Sequence, residues 1–182
     1  MSHGCDYCDE DAPCTCAGFA DAAEMREYFN YVVPPDQSPQ VNVPLLRKVA
    51  EWVAWNASLP EDSTLLEWNQ GAWITVTSDN GYRHTVHNVE LLNDPVKRQA
   101  LNCRTSYCCA GYAVSLDPSV VWVTDTAVTD KRTDQTWEIQ DWAAEALGLT
   151  FVERNTLFDG DNDAETIQMV VDAVMLRTGE KL

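Results

Sequence analysis

Residues 141–179 read DWAAEALGLTFVERNTLFDGDNDAETIQMVVDAVMLRTG, and this stretch decides that the chain is mainly helical. Apolar residues return every three to four positions, the period that lines up one face of an α-helix. A first helix starts at Trp137 or Asp141 and runs to Leu147, where Gly148 ends it by taking up the left-handed backbone that glycine tolerates. Thr150 caps a short helical turn that reaches Phe158. After Asp159-Gly160-Asp161-Asn162, Asp163 caps a last helix whose buried face is Ile167, Val170, Val171, Val174 and Met175, and Gly179 closes it.

Working back toward the N-terminus, the same logic gives two more helices. Asp21 to Val33 places Met25 above Phe29 and Tyr28 above Val32, with Asp21 as cap, and Pro34-Pro35 stops it. Asp36 to Gln40 reads as a linker or extended bend. From about Pro44 to Ala57, Leu45, Leu46, Val49, Trp52, Val53 and Asn56 share one face. Trp52 and Trp55 are both expected as core anchors. Asp62 to Trp68 fits a helical turn or an extended element equally well.

Strands occupy the middle. Residues 73–77 (WITVT) alternate and are β-branched, and Asn80-Gly81 is a type I′ hairpin signal, so Tyr82 to Val89 returns as the second strand. Val120 to Thr124 is expected to pair with Thr136 to Ile139 across a polar loop holding Lys131 and Arg132. Helical stretches at Pro95–Leu101 and Thr105–Leu116 separate these β segments. The expected fold is therefore α+β: a mainly helical single domain over residues 19–182, with one or two small antiparallel β-hairpins. Residues 1–18 form a Cys-rich appendage with too few core-forming side chains to order itself without a metal or cross-link.

Charge narrows the partners. The chain has 182 residues with 29 acids against 12 bases, a net charge of −17. Neutralising phosphates needs clustered Lys and Arg, so direct nucleic-acid binding is not expected. The acids are spread along the whole chain rather than gathered in a tail. Solubility is the plain reading of such a surface, and mimicry of nucleic acid in a basic cleft is the sharper alternative. No apolar run reaches the length of a membrane span, and the acidic N-terminus has no secretory-signal character. No membrane partner is expected, and a cytoplasmic location is.

Three groups of residues could carry chemistry. Cys5, Cys8, Cys14 and Cys16 form C-x2-C and C-x-C pairs, with His3 as a possible substitute ligand. Four soft ligands fit tetrahedral zinc, which is the expected cofactor if the sulfurs converge; free thiols or local disulfides are the plainer readings. Cys103 precedes the Thr105–Leu116 stretch, where helix-terminal amides would lower its thiol pKa, and His84 or His87 would serve as base. Against that, Cys108, Cys109, Ala110, Ala113, Val114 and Leu116 read as the small residues of a packed helix. Asp159 to Glu165 alternates acids like a calcium loop, but Ala164 and Val170 stand where such a loop needs Gly and Glu. A turn followed by a capped helix explains it better.

The segment CRTSYCCAGYA at Cys103–Ala113, with AAEALGLT at Ala143–Thr150 and LFDGDN at Leu157–Asn162, resembles a loose group of small uncharacterised proteins of actinobacteria and their phages. Their pattern is C-x-T-x-x-C-x-A-G, then L-G-L, then L-F, usually with Gly where Arg104 stands here. The resemblance covers residues 100–178 and implies an origin but no chemistry. The expected function is accordingly non-enzymatic, an accessory protein that binds a host protein. A thiol-dependent enzyme using Cys103 with His84 or His87 is the alternative, and an acidic nucleic-acid mimic the second.

Overall fold

The last helix gathers three of the other helices around it. The computed structural model describes residues 18–60, 74–77, 83–85 and 105–180. Their order is α1 (Ala22–Val32), a 3-10 turn (Pro35–Gln37), α2 (Val43–Ala57), β1 (Ile74–Thr77), β2 (Arg83–Thr85) and β3 (Thr105–Tyr107). There follow α3 (Cys109–Ser115), β4 (Val120–Trp122), β5 (Ala127–Asp130), β6 (Gln135–Glu138), α4 (Ile139–Leu147), α5 (Phe151–Leu157) and α6 (Ala164–Leu176). The architecture is the expected α+β, mainly helical one. Helix α6 packs against α1, α2 and α5. That is why Ile167, Val170, Val171, Ala173, Val174 and Met175 are buried on more than one face. Fully buried Phe29, Leu46, Leu147, Leu157 and Ile167 meet in this core, each contributing ~1.5–3 kcal/mol of hydrophobic stabilisation.

Local signals set the helix ends. The Asp21 carboxylate accepts from the amides of Ala23 and Glu24, both at 2.9 Å, and Pro34 and Pro35 end α1 because neither has an amide to donate. Asn42 caps α2 by accepting from the Leu45 amide at 3.3 Å. Thr150 and Glu153 form a reciprocal capping box at α5, and Asp163 accepts from the Thr166 amide at 2.8 Å to start α6.

The Glu153 of that capping box is completely buried and binds two further elements. Its carboxylate is 2.5 Å from the Arg26 guanidinium of α1 and 3.1 Å from that of Arg177, just past α6. Arg26 also donates to the Asn30 side chain, and Arg177 donates to the carbonyls of Pro39 and Gly148 at 2.8 and 2.6 Å. Arg177 thereby satisfies a carbonyl at the α4 C-terminus, where positive charge is favoured.

Gly148 has a second role beyond ending α4. With φ +70°, it lies under the α1–α2 linker so closely that an added Cβ would fall 1.9 Å from the Gln40 carbonyl oxygen. Asn42 completes this seam, its amide donating to the Leu147 carbonyl at 2.9 Å and its side chain to the Ala146 carbonyl at 3.0 Å.

The strands depart from the sequence reading in three places. First, β1 and β2 pair as expected, but Thr77 faces Arg83 and Val76 faces His84. A two-residue Asn80-Gly81 turn would have aligned Thr77 with His84 instead; Asn80 and Gly81 lie outside the described residues. Second, Thr105–Tyr107 is not the start of a helix but strand β3, added to the other edge of β1 in the order β2-β1-β3. Third, β4 does not pair with Thr136–Ile139. Strand β5 intervenes, pairing with β4 on one side and β6 on the other, and Ile139 begins α4. The Thr124–Thr126 turn makes this possible, with the Val123 and Thr124 amides donating to the Ala127 carbonyl. Segments 61–73 and 86–104, with the expected Pro95–Leu101 helix, lie outside the described residues.

Candidate functional site

The thiol at the start of a helix is Cys108, not Cys103. Because β3 takes up Thr105–Tyr107, α3 begins four residues later than Thr105, and Cys108 is its N-cap, with Sγ accepting from the Gly111 amide at 3.4 Å. That amide favours a thiolate, but burial outweighs it. Cys108 is sealed in the core and its thiol is pushed up to about 12. Cys109 beside it is raised well above the ordinary thiol value, by burial first and by the neighbouring Cys108 second. Neither is a nucleophile near neutral pH. They serve as small hydrophobes where α3 packs on α4, alongside buried Ala110, Gly111, Ala113 and Ala143. Leu116, expected among them, is instead at the helix end and over a third exposed.

Of the other candidate residues, Cys103, His87, His3, Cys5, Cys8, Cys14 and Cys16 lie outside the described residues. His84 is on β2. Val76 pairs with His84 on one side and Thr105 on the other, so these two positions occupy one rung of the sheet, two strand spacings or ~10 Å apart. Cys103 precedes Thr105 by two residues.

The acidic run after α5 is a turn and a cap. Asp159 accepts from the Asp161 amide, Asn162 donates to the Thr156 carbonyl, and the Thr166 amide holds the Asp163 carboxyl below its usual range. No group of three or more His, Cys, Asp or Glu among the described residues is placed to hold a metal ion. The two tryptophans of α2 also part company. Trp52 is buried and stacks on Tyr112 of α3, ring centroids 4.1 Å apart and planes within 7°, whereas Trp55 is 44% exposed rather than a core anchor.

The sequence reading missed an open cleft of about 420 Å³ at the junction of α2, α3, α4 and the β5–β6 hairpin. Leu45, Ala113, Leu116, Pro118, Trp142 and Ala146 supply apolar walls, and Asn42, Asp117 and Arg132 the polar groups. Arg132 sits at the hairpin tip and is fully engaged. Its Nε and one terminal nitrogen grip the Asp130 carboxylate at 2.9 and 2.5 Å, and the other terminal nitrogen lies 3.2 Å from Asp117. The Arg132 side chain, aided by its own amide and by the Trp142 side chain, holds the Asp130 carboxyl down at about 2. Asp117 also accepts from the Ser119 amide and hydroxyl at 2.9 and 2.6 Å. The signal for this network was Lys131-Arg132 between two strands, read only as a polar loop. The matching Asp117 lies too far along the chain for local pattern to reveal it.

Comparison with protein-family models, curated proteins and solved structures finds no match for this chain. No helix among the described residues is long and apolar enough to cross a membrane. The site therefore has to be interpreted from its own chemistry.

Proposed function

We propose that the protein is an accessory factor of an actinobacterium or its phage that acts in the host cytoplasm by binding a host protein, without catalysis of its own. The lining of the cleft carries this reading: its described residues form apolar walls beside one closed ion network. The sealed thiols of α3 support it, since the helix-terminal position that could activate a cysteine is spent on packing. The resemblance at Cys103–Ala113, Ala143–Thr150 and Leu157–Asn162 supports the origin. The net charge of −17 favours a partner with a basic surface, by electrostatic steering of the encounter. In this reading the N-terminal thiols Cys5, Cys8, Cys14 and Cys16 hold zinc as a staple, and elemental analysis of protein purified without added metal tests that directly.

One observation favours a second reading. The sheet order that places His84 and Thr105 on one rung supports a thiol-dependent enzyme in which Cys103 works with His84 or His87. The deciding experiment captures partners from an actinobacterial lysate with the natural chain and with Cys103→Ala. Binding predicts the same basic protein on both, released by raising salt. If Cys103→Ala keeps the partner but loses the biological effect, and Cys103 labels rapidly with iodoacetamide in the folded protein, the enzyme reading replaces this one. If the captured protein is a DNA-binding enzyme that heparin displaces, the binding is nucleic-acid mimicry.

A further inference from the structure

We infer that the cleft between α2, α3, α4 and the β5–β6 hairpin seats an apolar side chain carried on a Lys- or Arg-rich segment of the partner protein. This rests on the binding reading above and adds to it a place and a chemistry.

The walls argue for the apolar anchor. Leu45, Ala113, Leu116, Pro118, Trp142 and Ala146 surround about 420 Å³, within the ~300–1,000 Å³ range of recognition pockets. Leu116 is the large hydrophobic residue of this wall left over a third exposed, so an incoming side chain covers apolar surface that folding leaves wet.

The polar groups argue for a basic carrier. Asn42 spends its side chain on the Leu45 amide and the Ala146 carbonyl. The guanidinium of Arg132 is held by two carboxylates, Asp130 and Asp117, so the three groups together carry one net negative charge. Around it stands a chain of net charge −17. A cationic segment is drawn in by this field and an anionic one repelled. The side chains of Asn42, Asp117 and Arg132 already hold partners within the protein, which leaves few polar groups to orient a small molecule. The anchor therefore has to be positioned by the backbone of a larger partner.

The test titrates the full-length protein with three synthetic peptides of equal length: lysine–leucine, lysine–serine of the same charge, and glutamate–leucine. Methyl NMR shifts of Leu45, Ala113, Leu116 and Ala146 are followed. The lysine–leucine peptide binds about tenfold tighter than lysine–serine, the gain expected from burying part of one leucine, with shifts concentrated on these methyls. Leu116→Ser, an exposed neutral change, lowers the lysine–leucine affinity several-fold and leaves lysine–serine unchanged. Ala146→Phe fills the cleft and does the same. Equal affinity for the two lysine peptides, tighter binding of glutamate–leucine, or shifts away from the cleft would overturn the inference. The two readings fail separately. If Leu116→Ser and Ala146→Phe still capture the natural partner at full strength, the cleft is the wrong seat and partner binding stands. If the cleft methyls respond as expected while the natural chain captures no protein, partner binding fails and the seat remains.

Discussion

Two arginine–carboxylate clusters bracket this molecule, and they differ in what surrounds them. Arg26–Glu153–Arg177 is buried at the meeting of α1, α5 and the end of α6, with its carboxylate wholly shielded from water. Asp130–Arg132–Asp117 lies at the rim of the cleft, with the guanidinium more than half exposed. The first joins segments distant in sequence and has no solvent to fall back on if one member is lost. The second is local to a hairpin and a neighbouring turn, and its exposed guanidinium can exchange a carboxylate for water, although Asp130 itself is buried. Similar chemistry therefore stabilises the fold in one place and shapes a surface in the other.

The largest effect expected comes from breaking the buried cluster. Glu153→Ala leaves two guanidiniums buried without a counter-charge, and urea unfolding should show a loss of about 3–5 kcal/mol. A sharper form replaces all three residues, Arg26→Met, Glu153→Leu and Arg177→Met. Removing every charge together should cost less than Glu153→Ala alone, because no unpaired ion remains. A triple variant less stable than the single one would show that packing and the Pro39 and Gly148 carbonyl contacts, rather than charge pairing, dominate the node.

Gly148→Ala comes next. The new methyl meets the Gln40 carbonyl at a position held in left-handed backbone, and thermal unfolding should register a loss of at least about 2 kcal/mol. A near-neutral result would mean that the α1–α2 linker moves away freely.

At the rim, the effect is smaller and shows as pH dependence. The Asp130 carboxyl is held at about 2 in the folded protein against an ordinary 3.8, with the Arg132 hydrogen bond as first cause. On acidification the unfolded chain takes up the proton first. The contribution of Asp130 is thus complete above 3.8 and is lost as pH falls through about 2. Asp130→Asn should flatten that part of the acid-unfolding curve, and an unchanged curve would show that the rim cluster does not hold its geometry in solution. The smallest expected change is a gain. Asp134 adopts φ +57° in the β5–β6 turn, so Asp134→Gly should raise stability by about 0.5 kcal/mol in a denaturant midpoint.

Most of the helical framework was legible because its signals are local. Asp21, Thr150 and Asp163 cap where their side chains reach the next amides, and Pro34-Pro35 and Gly148 stop helices by backbone chemistry alone. The strands were harder. Ala127–Asp130 has a single large aliphatic, Val128, to mark it, and Thr105–Tyr107 ran without a break into a helical pattern, so pairing rather than propensity makes them strands. The candidate site suffered for the same reason. Once β3 exists, the helix start moves from Thr105 to Cys109 with Cys108 as its cap, and burial then turns a position that activates thiols into one that silences them.

By itself, the sequence determined the caps of α1, α5 and α6, the stops of α1 and α4, the apolar face of α6, and that the chain is strongly acidic. These follow from interactions within a few residues and from charge, which needs no fold to be counted. Only the tertiary structure decided that Glu153 is a buried junction, that Trp55 faces water while Trp52 does not, and that Leu45, Leu116 and Trp142 enclose one cleft. Burial and ion pairing depend on which distant segments meet, and no local pattern in the chain specifies that.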